Sequence, residues 1–197
     1  MRRFAIGLAV FGLLALAPRP AQAQTYFAPF FGFDFGGDAG NCPSLLAPGC
    51  EVKRAAYGFG VGHLSHGIFG FEEDFSYAPD FFGQSPTFGA NSVLTLMSNL
   101  VVAVPAGPVH PYLTGGVGIM RTNVELKLSG ATGLLSTNNI SFGYNLGGGV
   151  MILLPAHVGL RVDYRHIRSA SDVDILGLSL PSAKLNFSRI AFALVLH

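Results

Sequence analysis

Eight charged residues fall on strand phases that would gather them in one enclosed space: Asp34, Arg54, Glu72, Asp74, Arg161, Asp163, Arg165 and Arg189. Four acids and four bases confined together must pair, because a buried charge without a partner is expensive. Such a set reads as an ionic plug that fixes strand register; a narrow, gated ion path is the alternative use of the same residues. Glu72-Glu73-Asp74 cannot all share one strand face. Either a bulge breaks the pairing or Glu73 sits above the hydrocarbon at the outer end of its strand, and the second is expected.

Nucleophilic chemistry has one candidate segment. His166, Ser169 and a following Asp172 or Asp174 are the residue types of a Ser-His-acid hydrolase, but their spacing is wrong for one, so no catalytic residue is assigned. Cys42 and Cys50 are the only cysteines and share one polar connection, where an exported chain would form a disulfide. Of the six histidines, His63, His66, His110, His157 and His197 fall at or beside short turns spread around a circumference. They read as amphipathic rim residues, and neither a metal nor a cofactor is expected.

The elements that must position these groups are strands. Leu160, Val162 and Tyr164 alternate with Arg161, Asp163 and Arg165, and Ile190, Phe192, Leu194 and Leu196 with Arg189, Ala191, Ala193 and Val195. Phe142, Tyr144, Leu146, Val150 and Ile152 face away from Gly143, Asn145, Gly147, Gly149 and Met151; Tyr57, Phe59 and Val61 face away from Gly58, Gly60 and Gly62. Further strands are expected near 25–35, 67–78, 92–104 and 110–127, which makes eight. Polar connections at 36–50, 79–91, 128–138 and 169–183 are long, whereas those near 63–67, at Pro105-Ala106-Gly107-Pro108 and at Pro155-Ala156-His157 are short. Alternating long and short connections are the habit of outer-membrane barrels, with the long ones extracellular.

Composition selects the solvent. Charged residues are 12% of the 197, against about 25% in ordinary soluble domains. Hydrophobic residues are 50%, with 26 Gly and 17 Phe, yet no later stretch reads as a spanning helix. At the N-terminus, Arg2 and Arg3 precede an apolar run from Phe4 to Ala17 and a small-x-small site at Ala21-Gln22-Ala23. Residues 1–23 are therefore expected to be a cleaved signal peptide and 24–197 a single barrel domain. Cleavage removes three of 12 Lys and Arg and none of 11 Asp and Glu, a net −2 that offers no basic patch for nucleic acid. A soluble lipocalin-like barrel would need Lys and Glu on its polar face; here that face is mostly Gly, Ala and Ser, which suits a tight interior. The expectation is an all-β, eight-stranded antiparallel up-and-down transmembrane β-barrel, apolar face to lipid.

Pro111-Tyr112-Leu113-Thr114-Gly115-Gly116-Val117-Gly118, Phe142-Gly143-Tyr144-Asn145-Leu146-Gly147-Gly148-Gly149-Val150 and Val158-Gly159-Leu160-Arg161-Val162-Asp163-Tyr164-Arg165 carry a resemblance over essentially the whole mature chain. It is to the small outer-membrane barrels that include opacity-type and OmpA-like proteins. The resemblance implies a monomeric barrel in the bacterial outer membrane, among lipid and lipopolysaccharide. It would act as a structural or surface-binding protein, with any extracellular partner meeting the four long loops. Family members usually end on an aromatic residue, where this sequence has Leu194-Val195-Leu196-His197. The lipid A deacylases among such barrels carry a motif resembling His-x-Ser-Asn-Ala; His166-Ile167-Arg168-Ser169-Ala170 puts Arg168 at the serine position and lacks the Asn.

Overall fold

The computed structural model describes residues 24–37, 54–65, 68–82, 88–127, 134–155, 157–170, 174–175, 178–179 and 185–197. Ten strands follow in chain order: β1 (Gln24–Phe35), β2 (Arg54–Ser65), β3 (Phe69–Pro79), β4 (Phe88–Ala103), β5 (Val109–Lys127), β6 (Leu134–Leu154), β7 (Val158–Ser169), β8 (Asp174–Ile175), β9 (Leu178–Ser179) and β10 (Asn186–Leu196). Eight of them close a barrel in which each strand lies beside its sequence neighbour and β10 returns antiparallel to β1. β8 and β9 form a separate two-residue ladder in the connection between β7 and β10. No described helix is long and apolar enough to cross a membrane.

Two boundaries move from the sequence expectation. β4 begins at Phe88 and β6 at Leu134, so strand pairing extends into the expected loops 79–91 and 128–138. The β5–β6 ladder runs without interruption from Val109–Ile152 to Lys127–Leu134. Ladder bonds override the Asn, Ser and Thr content of Ser136-Thr137-Asn138-Asn139, which reads as loop on composition. The expected signal peptide and both cysteines lie outside the described residues.

Register fixes the geometry. Stepping across directly opposed residues from Thr25 leads through His63, Phe71, Leu100, Gly115, Leu146, His166 and Ser188, then back to β1 at Phe35. The circuit closes ten residues from its origin (35 − 25), an offset that over eight strands tilts them by about 40°. A barrel of this size is narrow enough for its own side chains to fill.

The two faces separate as the alternation requires. On β7 every second residue is buried without exception, and on the outer surface large apolar side chains from Ile152 at 38% to Leu113 at 70% stay exposed. A water-soluble molecule does not carry a belt of this kind. Rings of neighbouring strands pack along it, with Phe27–Phe59 centroids 5.7 Å apart and Phe59–Phe75 5.3 Å apart. Short turns close one end. In the β4–β5 turn Gly107 takes φ 68°, a conformation glycine adopts without a Cβ penalty.

Inside, three layers fill the barrel. Toward the short turns, Tyr26, Ala28, Leu64, Val101, Tyr112, Met151 and Val195 form one apolar cluster. Toward the long connections, Ala56, Ala78, Val93, Met97, Met120, Ile167 and Phe187 form another. Phe81 joins that cluster from the turn after β3, fully buried and edge-on to Phe187 at 4.8 Å. The ionic residues lie between.

Inward glycines let the bulky inner side chains fit. A Cβ at Gly149 would run into the Val162 carbonyl oxygen and the Tyr112 hydroxyl. We predict that Gly149→Val lowers the barrel's unfolding free energy by roughly 1–3 kcal/mol, the usual range for overpacking. Urea titration in lipid vesicles, read by loss of the compact unboiled gel band, should show an earlier midpoint.

Candidate functional site: the charged interior

β3 and β7 supply the centre of the interior layer, on opposite walls of the barrel. Glu72 and Asp74 lie on the inward phase of β3; Arg161, Asp163 and Arg165 lie on that of β7, all buried. The long arginine side chains cross the lumen to reach the acids. Arg161 grips Glu72 as a fork, one arm to Oε2 and Nη2 to Oε1 at 3.1 Å, and its Nη2 also donates to Asp163 Oδ2 at 2.9 Å. Arg165 donates from Nη2 to Glu72 Oε1 at 2.6 Å and from Nε to Asp163 Oδ1 at 2.7 Å. Its Nη1 stands 3.5 Å from Asp74 Oδ2 without a hydrogen bond.

Two tyrosines complete the acids' coordination. Tyr26 donates to Glu72 Oε2 at 2.7 Å. Tyr112 donates to Asp163 Oδ2 and accepts from Arg161 Nε at 2.6 Å, with the guanidinium 5.0 Å above its ring. Beside them Asn145 donates to Asn99 Oδ1 at 2.7 Å, and Asn99 donates to the Met97 carbonyl at 3.2 Å. Charge-assisted, forked bonds of this kind are the strong class, and in a low-dielectric interior they hold the Glu72–Arg161–Asp163–Arg165 centre in one arrangement.

Asp34 and Arg189 form a second, separate pair. They face each other directly across the β1–β10 ladder, and Arg189 donates to both carboxylate oxygens at 2.6 and 3.0 Å. Its guanidinium lies between the rings of Phe30 and Phe187, 5.9 and 5.8 Å from their centroids. Arg54 lies directly opposite Asp34 on the β1–β2 ladder, yet Asp34 pairs with Arg189 and no ion pair joins it to Arg54. Arg54 is partly exposed and donates from Nε to the Phe81 carbonyl at 2.9 Å, tying the inserted turn to the barrel wall.

The other candidates fall on the outer surface or the rims. Glu73 departs from expectation. The β2–β3 and β3–β4 registers run through it without a bulge, opposite Val61 and Ser98, at mid-strand. Simple alternation turns it outward, and Ser98 Oγ lies 2.8 and 2.9 Å from its two carboxyl oxygens. His166 also faces outward, whereas Ser169 is inward and buried, so the two do not meet. The serine that His166 meets is Ser188, opposite it on β10, 3.2 Å from Nδ1 and 3.1 Å from the Tyr164 hydroxyl. At the short-turn rim His157 and His197 stack edge-on at 5.9 Å, closer than a scatter around the circumference implies, while His110 contacts the Gly107 carbonyl. His66 and Asp172 lie outside the described residues.

Tyr26, Tyr112 and Asn99 were not singled out from the sequence. Their inward phase opposite Phe27, Leu113 and Leu100 was a usable signal. Phe81 sits beyond the end of β3, where no periodicity could mark it.

Removing one member of the central cluster strands its partners. Glu72→Leu should destabilise the barrel by about 3–5 kcal/mol, the range for breaking a buried ion pair. Combining it with Arg161→Met should recover a measurable part of that loss. A double-mutant cycle from urea unfolding in vesicles measures the coupling; additive effects of the two substitutions would show that the pair is uncoupled.

Solved structures with the same closed fold include Neisserial surface protein A, at 15% identity and a TM-score of 0.64, covering 88% of this chain and 97% of that one. The N-terminal β-barrel domain of Pseudomonas aeruginosa OprF matches at 12% identity and a TM-score of 0.50, covering 89% and 98%. The outer membrane enzyme PagL matches at 14% and 0.47, covering 85% and 97%, too distant to carry an argument. At these identities the likeness shows the fold alone. A search of curated proteins finds no match. The family model for the outer membrane protein beta-barrel domain, however, matches residues 7–196, and the chain belongs to that family.

Proposed function

We propose that this outer-membrane barrel is a non-conducting scaffold, structural or surface-binding, whose interior serves to hold the wall rigid while its long connections carry recognition. The observation that supports this reading is the filled lumen: the Glu72–Arg161–Asp163–Arg165 cluster bridges opposite walls between two apolar layers. An ion path needs polar groups that exchange partners with water, and these groups are bonded to one another. Binding then falls to the connections within 36–50, 80–87, 128–133 and 170–183, of which the first would be closed by a Cys42–Cys50 disulfide after cleavage at Ala23–Gln24. Outer-membrane lipid and lipopolysaccharide surround the wall, with a protein or other surface ligand at the loops.

A second reading, a lipid-modifying hydrolase, draws on the outward His166–Ser188 contact. It is the weaker one. Among the described side chains no carboxylate is bonded to His166, and Ser188 Oγ is shared with the Tyr164 hydroxyl, so the serine lacks the oriented base that activates it.

Planar-bilayer recording of the full chain should show no reproducible unitary steps. Shortening the long connections to Gly-Ser turns, with Asp80-Phe81-Phe82 retained, should leave the heat-dependent gel shift intact and abolish attachment of cells displaying the protein. Reproducible conductance steps, or loss of a lipid A acyl chain by mass spectrometry when the protein is expressed, would overturn the reading.

A further inference from the structure

Glu73 is an acid where the rest of the outer surface is hydrocarbon-facing. It lies midway along β3, four residues from Phe69 and four from Tyr77, the outward aromatics near its two ends. Around it on the outer face stand Phe59, Val61 and His63 on β2, Phe71 and Phe75 on β3, and Leu96, Ser98 and Leu100 on β4; His63 contacts Thr25 at 3.0 Å, and Ser98 is the residue that bonds Glu73. Among the described strand side chains no other acid faces outward. Polar outward residues elsewhere have an easier situation: Thr25 and His63 sit near the short-turn rim, and His166 and Ser188 toward the opposite rim, where headgroups and water are in reach. The cost of a charge on the lipid face is greatest at the midplane, which is where Glu73 stands.

Ser98 answers this need only in part. A serine hydroxyl has one hydrogen to donate, whereas a carboxyl offers several acceptor sites over two oxygens. Ser98 Oγ sits at nearly equal distances from both, 2.8 and 2.9 Å, so hydrogen-bonding capacity remains on the carboxyl that this one hydroxyl does not fill. An ionisable group in this position marks a functional contact, and polar side chains join protein surfaces within membranes.

The geometry points to a second copy of this chain as the occupant, docked against the β3–β4 face. Two copies in one membrane share an orientation, so a two-fold axis between them runs along the membrane normal and each residue meets residues of its own depth. Glu73 and Ser98 are directly opposed on neighbouring strands and therefore differ in depth by only one tilted strand step. Rotation about an axis passing between them brings Glu73 of one copy onto Ser98 of the other, and the reverse. Each Ser98 hydroxyl, with one donor and two acceptor sites, then lies between Glu73 of its own chain and Glu73 of the other copy. The four groups close a ring of hydrogen bonds sealed from lipid by Phe71, Phe75, Leu96 and Leu100. The patch is thus complementary to itself, and the monomer expected from the sequence becomes a dimer in the membrane.

The test uses the full chain in phospholipid vesicles, with Cys42→Ser and Cys50→Ser, and a short bis-maleimide cross-linker. Leu100→Cys on the proposed face should give a dimer band several-fold stronger than Leu160→Cys on the far wall. Adding Glu73→Leu should reduce that band to the Leu160→Cys level while the heat-dependent gel shift persists. Should Glu73→Leu fail to fold, Ser98→Ala serves in its place. Equal cross-linking at both positions, no cross-linking at Leu100→Cys, or a band unchanged by removing the polar pair would each overturn the proposal.

Discussion

Hydrocarbon offers no hydrogen bonds, so a backbone crossing it must satisfy its own N–H and C=O groups. From that constraint the rest of the structure follows. A sheet meets it only by closing, and the closure of β10 onto β1 leaves the barrel without an edge. Closing eight strands with an offset of ten residues then fixes the width of the interior. The inner phase of each strand must accept what fits: Gly, Ala, Ser and Asn over much of the surface, with a few long side chains reaching across.

The arginines of β7 are the groups that reach. Arg161 and Arg165 leave one wall and end on Glu72 of the wall opposite, while Asp163 between them holds both. The cluster therefore joins non-neighbouring strands, which the backbone ladder alone does not do. Burial of these ions is costly, but each forms several charge-assisted bonds, and the Tyr26 and Tyr112 hydroxyls add further donors to the Glu72 and Asp163 oxygens that Arg161 also holds. A wall braced in this way leans on its connections chiefly through Phe81, which leaves much of their remaining sequence open to recognition.

How much of this was legible in the sequence depended on the period. Where side chains strictly alternate, as on β7 and β10, residues such as Arg161 and Arg189 could be assigned to a face without coordinates. Pairing between walls could not be read, because which arginine meets Glu72 is set by the barrel offset, a property of all eight ladders together. Glu73 shows a different limit. Alternation already placed it outward, but an acid in a lipid belt argues against itself, and the expectation displaced it to a strand end. The uninterrupted β2–β3–β4 register keeps it at mid-height, bonded to a serine that lies 25 residues away in sequence. His166 was set beside Ser169 by proximity along the chain, whereas strand pairing sets it beside Ser188.

The chain contains no tryptophan, so a single one introduced reports its own surroundings. Phe192 faces outward on β10 and Phe187 faces inward, 51% and 1% exposed. In vesicles containing lipids brominated on the acyl chains, Phe192→Trp should be strongly quenched. Phe187→Trp should be quenched neither by bromolipid nor by aqueous acrylamide. Acrylamide quenching of Phe187→Trp in the folded barrel, or a Phe192→Trp that bromolipid leaves bright, would contradict a lipid-facing barrel with a filled interior.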